Sequence, residues 1–401
     1  MAQTGSDVVW KRYAAISLLG IVLATAYAVG TGYWVLTALP IGFLFGFFLQ
    51  KGDLCGSSAF SEVLMMKDKR KVLGLWVVVA VAMAGFAVLD LLGWVQLNPK
   101  PLVYLNYLVG GLVFGVGMVL AGGCVSGCLY KAGAGNLNSI AGLVGIPIGV
   151  MMVEFGPLRT FHASMKSYVL KTGEGGVVTV PKLIGVPYWL LAVLTLAVTV
   201  FFLTRQRAQS KPQSKTGEAL TVRALTRPWK PWVSGLAVGL LMVPAYLSSA
   251  ASGRNYPLGV THGVMQVELL LVDHGFQHIW TANPPTASSP AANPGSTTPP
   301  GRKVSWWLVL LVSSLVLGSW VSGRMSGQAK LLPKPPDEVV VALIGGILVG
   351  VGAAFATGCV VGNIMSGWAL MSVGAILFGV VTLLANWVTT YFYLMGGRSQ
   401  A

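Results

Sequence analysis

The sequence predicts an all-α polytopic membrane protein with about ten transmembrane segments. Three observations carry this. Hydrophobic residues make up 54% of the 401 residues, and charged residues only 10%, against about 25% in soluble domains. Eight windows carry no Asp, Glu, Lys or Arg: 13–50, 72–89, 102–130, 132–153, 183–204, 231–253, 304–323 and 339–397. A helical crossing takes roughly 20 apolar residues, so the longest windows hold two. Backbone in lipid must satisfy its own hydrogen bonds, which selects helices. The short alternating segments of a transmembrane barrel do not occur. A soluble multi-domain enzyme and a disordered chain are excluded.

In chain order the spans fall at 13–29, 33–50, 72–92, 105–121, 138–155, 187–203, 232–249, 304–323, 339–357 and 370–394. The first apolar stretch runs into the second, so a retained N-terminus is expected rather than a cleaved signal. The net charge of +15 sits in short loops between spans. That pattern reads as topology and implies no nucleic-acid partner. The loop 67–71 reads KDKRK, and 204–230 holds seven Lys/Arg against one Glu218. Placing both termini in the cytoplasm puts both loops, and 17 of the 27 Lys/Arg, inside. The chain divides into an N-terminal half (1–204), a basic cytoplasmic linker (205–230) and a C-terminal half (231–397). The second half carries an outer Pro/Ser/Thr-rich insertion at 281–302. Residues 259–280 are expected as an amphipathic helix at the outer interface. His274 and His278 stand i, i+4 there, a spacing compatible with metal, though a solvated face is the preferred reading.

Self-similarity organises the two halves. GGLVFGVGMVLAGGCVSG (110–127) and GGILVGVGAAFATGCVVG (345–362) share ten of 18 positions at an offset of 235, including Cys124/Cys359, Gly123/Gly358 and Gly127/Gly362. Four spans separate the copies, so they enter from opposite faces and the repeat is inverted. A weaker pair, 42–55 against 235–248, sets Cys55 on Ser248. Inverted repeats with glycine-interrupted helices mark transporters and place a site near the midplane.

All four cysteines, Cys55, Cys124, Cys128 and Cys359, lie at breaks in apolar segments. A lone Cys in such a helix is usually a small apolar filler. Two in matched positions of a repeat point instead to a site. Cys128 has no counterpart, because Asn363 takes its place. Thiols are weak donors and soft acceptors, which suits a polarisable sulfur-containing solute or a soft metal such as Cu(I). Cys124 and Cys128 also have a spacing open to a disulfide or metal. The Met residues are scattered, which argues against a soft-metal path. Paired CxxC motifs are absent, which argues against a membrane thiol-redox protein. No cofactor is implied.

Within the spans the only charges are Asp90 and Glu154, both near ends. An entering anion is therefore expected to meet broken-helix N-termini and backbone N–H groups rather than a counter-ion. Lys51 and Lys131 flank the cysteine breaks and either line a vestibule or snorkel to head groups. Candidate substrate-binding residues are Cys55, Cys124, Cys359, Gly123, Gly127, Gly358, Gly362, Asn363 and Cys128.

The breaks Gly52-Asp53-Leu54-Cys55-Gly56, Ala121-Gly122-Gly123-Cys124-Val125-Ser126-Gly127 and Ala356-Thr357-Gly358-Cys359-Val360-Val361-Gly362 resemble the YeeE/YedE family of thiosulfate-transporter-like membrane proteins. The likeness covers about 33–155 and 232–394. It implies an inverted-repeat bundle narrowed at the middle, importing thiosulfate across the inner membrane of a bacterium. Some relatives are proposed to handle selenium species. By motif, the resemblance implies Cys55 at the outer entrance and Cys124 with Cys359 at the constriction. It also implies a TusA-like sulfur carrier on the cytoplasmic side. The loops 156–186 and 250–303 look longer than the family needs.

Overall fold

A computed structural model describes residues 3–170, 176–209, 225–272, 277–279, 303–329, 331 and 334–396. Each apolar window is helical, as lipid requires. In order these are α1 (Gln3–Thr31), α2 (Ala38–Gly52), α3 (Gly56–Met65), α4 (Arg70–Leu91), α5 (Tyr104–Leu120), α6 (Val125–Gly133) and α7 (Leu137–Glu154). Two short helices follow, α8 (Arg159–Lys166) and α9 (Val180–Ile184), then α10 (Tyr188–Gln209) and α11 (Pro231–Ala251). The chain continues with α12 (Thr261–Val272), α13 (Trp306–Met325) and α14 (Pro336–Phe355). A π-helical turn (Val360–Met365) leads to α15 (Ser366–Ala369) and then α16 (Val373–Thr389). Strand pairing is confined, among the described residues, to two short two-stranded patches: 102–103 with 169–170, and 277–279 with 303–305.

Among the described residues ten segments are long and apolar enough to cross a membrane, and the chain is a multi-pass membrane protein. Three of them are broken: α2 with α3, α5 with α6, and α14 with α15. Each break is followed by a new helix N-terminus inside the bundle.

The helix pairing repeats itself. α2 packs on α13, and α11 on α4; α5 packs on α16, and α14 on α7. Exchanging α2–α7 with α11–α16 converts each contact into the other. The half-helices follow the same rule: α3 touches α4, α5 and α16, whereas α12 touches α13, α14 and α7. At the centre α5 meets α14, and the two run antiparallel. A Cβ on Gly110 would sit 2.8 Å from Gly352 O, and one on Gly117 2.9 Å from Gly345 O. The two glycine-rich copies are thus packed head to tail.

The half-helix α12 differs from its expected place. Thr261, Val264, Gln266 and Leu269 are buried in it, so it is inserted into the bundle instead of lying at the interface. The physical reason is its partner set: its apolar residues are covered by α13, α14 and α7 as α3 is covered by α4, α5 and α16. The linker 205–230 is described only at its ends. The insertion 281–302 and His274 lie outside the described residues, as does the side chain of His278. By contrast α1 faces outward, with Ile16, Leu19, Leu23 and Tyr27 all exposed to the lipid side.

Glycine sets how closely the central helices approach. A Cβ on Gly350 would run into the Ile146 carbonyl, and one on Gly149 into the Ile347 carbonyl. Small residues permit such backbone contact in membranes, where packing has to supply the association energy. Gly350→Leu should therefore lower stability by about 3 kcal/mol or more, read as a fall in melting temperature and folded yield in detergent. Ile344→Leu, at a half-exposed position on the same helix, should change neither. Wild-type melting of Gly350→Leu would show that these backbones are not in contact.

Candidate functional site: three thiol-capped helix breaks and a cationic cavity

The three breaks share one local design. Cys55 is the N-cap of α3, Cys124 of α6 and Cys359 of the π turn, each in extended backbone and each without a side-chain capping bond. N-caps normally carry Ser, Thr, Asp or Asn, whose oxygen accepts from the first-turn N–H groups. The helices that follow obey that rule: Asn136 caps α7 and Ser372 caps α16. At the cysteine breaks no side-chain oxygen caps the first turn, and the positive end of each helix points inward. The residue two before each cysteine makes the turn with positive φ: Asp53 (46°), Gly122 (66°) and Thr357 (52°).

All four thiols are free and buried. Cys55 and Cys124 lie side by side, and a Cβ on Gly127 would collide with the Cys55 sulfur. Gly127 is thus the gap that lets the two thiols meet. Cys124 Sγ is also 3.4 Å from Ser126 Oγ. Cys359 is near enough to Cys124 to act on it electrostatically, and the Val360 side chain packs against the start of α3, 2.8 Å from a Cβ on Gly56. Cys128 turns away, its thiol 3.6 Å from Gly123 O, and a Cβ on Gly123 would press on its sulfur at 3.2 Å. So Cys55 and Cys124 form a close thiol pair.

Cys359 lines a cavity of about 330 Å³ together with Gly358, Gly362, Lys100, Arg254, Tyr256, Thr261 and His262. This cavity corrects the expectation that no counter-ion reaches the site. Lys100 comes from the α4–α5 loop and Arg254 from the α11–α12 loop, and both fold inward over the hinge. Lys100 Nζ donates to Thr357 O at 2.6 Å and to Asn363 Oδ1 at 2.8 Å. Asn363 returns two bonds to the hinge, from Nδ2 to Ala356 O (3.1 Å) and Gly358 O (3.0 Å). Gly358 and Gly362 leave room for the ammonium group: a Cβ on Gly358 would lie 2.8 Å from Lys100 Nζ, and one on Gly362 4.0 Å.

Both cations rest on the ring of Tyr256, Lys100 Nζ at 5.1 Å and Arg254 Cζ at 5.5 Å, and Arg254 also covers Trp307 at 5.5 Å. Arg254 Nη1 donates to Pro257 O at 2.8 Å, and Tyr256 OH to Gly362 O at 2.6 Å. Among the described residues neither cation has a carboxylate partner. Burial pulls Lys100 down to about 7, with the neighbouring Cys359 opposing it and Arg254 adding to it. Burial brings Arg254 only to about 10, so it stays charged at neutral pH. His262 is pushed down to about 4 by burial and by both cations, so its imidazole is neutral there. Thr261 Oγ1 and Gln266 Oε1 are buried in this wall without hydrogen-bond partners. Two cations without carboxylate partners, a hydroxyl without a hydrogen-bond partner, a helix N-terminus and a thiol thus line one cavity, a set of groups whose chemistry suits a small anion.

The two lysines singled out in the sequence have other places. Lys131 Nζ donates to Gly122 O at 2.9 Å. Lys51 is buried, bonded to Leu225 O and to Ser326 Oγ (2.6 Å), so it ties helix ends together and neither lines a vestibule nor snorkels. The sequence reading missed Lys100, Arg254, Tyr256 and Thr261. The available signal is two basic residues in loops close to helix ends, a position that also bears on sidedness.

A bundle that breaks its central helices on thiols beneath a cationic cavity is the build of a membrane transporter rather than an enzyme. Residues 51–388 match the Sulphur transport family, and the chain belongs to that family. It is 29% identical over 367 residues to the thiosulfate transporter TsuA of Spirochaeta thermophila, covering 88% of this chain and 98% of that protein. It is 25% identical over 373 residues to the thiosulfate transporter TsuA of Escherichia coli, covering 92% and 97%. A shorter stretch of 104 residues, a quarter of each chain, is 31% identical to the probable transporter YedE of Escherichia coli. The protein is a sulfur-compound transporter.

Lys100 gives this site a pH signature. A bound dianion favours the ammonium form, so affinity for sulfate, used as a probe, should be highest below pH 7 and fall as pH rises through and beyond about 7. Lys100→Met should remove the step and weaken low-pH binding by about tenfold, the scale of one lost charge-assisted hydrogen bond. Titration calorimetry at pH 6 and 9 reads both effects. A wild-type affinity independent of pH would sink the assignment.

Proposed function

We propose that this chain imports a small sulfur oxyanion, thiosulfate foremost, across the bacterial inner membrane through a thiol-lined constriction. The Lys100 cavity is the outer receptor, and the face bearing 67–71 is cytoplasmic, as are both termini. The excess of Lys/Arg in the 67–71 and 204–230 loops supports that orientation. The carrying observation is Cys359 at a helix N-terminus inside a cavity with two cations that lack acidic partners. Thiosulfate is a dianion with a terminal sulfur. Its charge suits Lys100 and Arg254, and its sulfur suits a thiol donor. Beyond Cys359 the Cys55–Cys124 pair, at two further helix N-termini, offers the next sulfur contacts. In this reading the anion passes Cys359 first and the paired thiols afterwards, the reverse of the entrance role that the resemblance implies for Cys55, with Gly123, Gly127, Gly358, Gly362 and Asn363 shaping the hinges and Cys128 bracing one of them. The likeness to two thiosulfate transporters along nearly their whole length supports the substrate. The resemblance noted above adds a TusA-like sulfur carrier as the partner at the cytoplasmic mouth, which co-purification tests.

In a strain dependent on thiosulfate as sole sulfur source, Cys359→Ala and Cys124→Ala should each cut uptake by about tenfold or more, the scale of one lost thiol contact at the rate-limiting site. Cys128→Ala should be milder. Wild-type growth with both Cys124→Ala and Cys359→Ala would sink the thiol path, with membrane levels of each variant checked by immunoblot.

A further inference from the structure

A second cavity, of about 500 Å³, lies away from the thiols on the lipid side of α3, α4 and α16. Its walls are Val63, Val72, Leu73, Leu383 and the rings of Trp76 and Trp387, and Lys69 and Arg70 stand at its mouth. Both indole N–H groups are turned into the protein, Trp76 Nε1 to Thr199 Oγ1 and Trp387 Nε1 to Phe60 O, each at 3.0 Å. The rings therefore offer carbon faces to the groove. The lining gives a peptide backbone no hydrogen-bond partner below the mouth, so a hydrocarbon chain suits it and a protein segment does not.

The charge at the mouth is positive. Lys71 is withdrawn from it, bonded to Asp53 (2.5 Å) and Glu62 (2.6 Å). Arg70 commits Nε and Nη2 to Asp68, whose carboxylate also accepts from the Arg70 backbone N–H. Lys69 has no carboxylate partner among the described residues. In that cluster four bases (Lys67, Lys69, Arg70 and Lys71) stand against three carboxylates (Asp53, Glu62 and Asp68), which leaves an excess of one positive charge where α4 enters the membrane. Basic residues at a membrane interface beside an apolar groove recognise anionic lipid head groups.

We propose that this groove binds one anionic glycerophospholipid, with an acyl chain between Trp76 and Trp387 and its phosphate on Lys69 and Arg70. One wall of the groove is α3, the half-helix that begins at Cys55, so the lipid props the back of the element that carries the thiol. The site needs no assumption about the transported solute.

The test uses the full chain, delipidated in detergent and offered equal dioleoylphosphatidylglycerol and dioleoylphosphatidylcholine in native mass spectrometry. One retained phosphatidylglycerol is expected, favoured about fivefold or more over phosphatidylcholine, the scale of one unpaired basic residue at a membrane surface. Lys69→Gln with Arg70→Gln should bring the ratio near one, and Val72→Trp should fill the groove and cut both adducts. Independently of any variant, phosphatidylglycerol with a photoreactive acyl chain should label wild-type peptides containing Trp76 or Trp387. A preference kept by the double variant, lipid retention unchanged by Val72→Trp, or labelling confined to other peptides would each overturn the proposal.

Discussion

A helix that begins inside an apolar bundle leaves its first N–H groups without partners, and nearly everything at the centre of this protein answers to that constraint. Lipid cannot supply acceptors, so the breaks have to be shielded on all sides by protein. The antiparallel α5–α14 contact and the flanking α7, α13 and α16 do this. A Ser or Asp cap would close each terminus on itself. A cysteine in that position puts a soft sulfur where an oxygen cap would stand, and so weakens the cap as structure.

The two matched hinges are braced in the same way by different chemistry. In the first, the Cys128 thiol approaches Gly123 O and Lys131 donates to Gly122 O. In the second, Asn363 donates to Gly358 O and Lys100 to Thr357 O. The carbonyls are equivalent under the 235-residue offset. Their surroundings are not. Lys100 is joined by Arg254 and by no acid among the described residues. Lys131 shares its neighbourhood with Asp53, which accepts from Tyr130 OH at 2.7 Å. Positive charge therefore declines from one hinge to the other. Thr357 holds a β-branched residue in the left-handed region, a costly conformation that the Lys100 bond helps to hold.

Much of this was legible in the chain, and the remainder has identifiable causes. The ten crossings follow from local apolar runs, and the head-to-tail packing of 110–127 on 345–362 from their shared glycines. Cys55, Cys124 and Cys359 could be singled out as site candidates because they interrupt those runs. Which thiols touch could not be read. Register equates Cys124 with Cys359, but contact depends on how α3 turns back toward the centre, and the Cys55–Cys124 proximity spans 69 residues of sequence. Lys100 and Arg254 were invisible for a related reason: a charge in a loop looks solvated until the loop's path is known. Thr261 and Gln266 were obscured because α12 carries enough polar residues to pass for a surface helix.

The glycine contacts set limits on motion. Where α7 lies on α14 through Gly149 and Gly350, backbone touches backbone with no cushion of side chains, and a slide of one residue would drive a Cβ into a carbonyl. Such seams behave as welds, because packed interfaces resist continuous deformation. The four long pairs they join, α2–α13, α4–α11, α5–α16 and α7–α14, form a stiff frame. Freedom to open and close is thereby concentrated in the short half-helices that the frame surrounds, so the cycle resembles the stroke of a small valve within a fixed casing more than the rocking of one lobe against another.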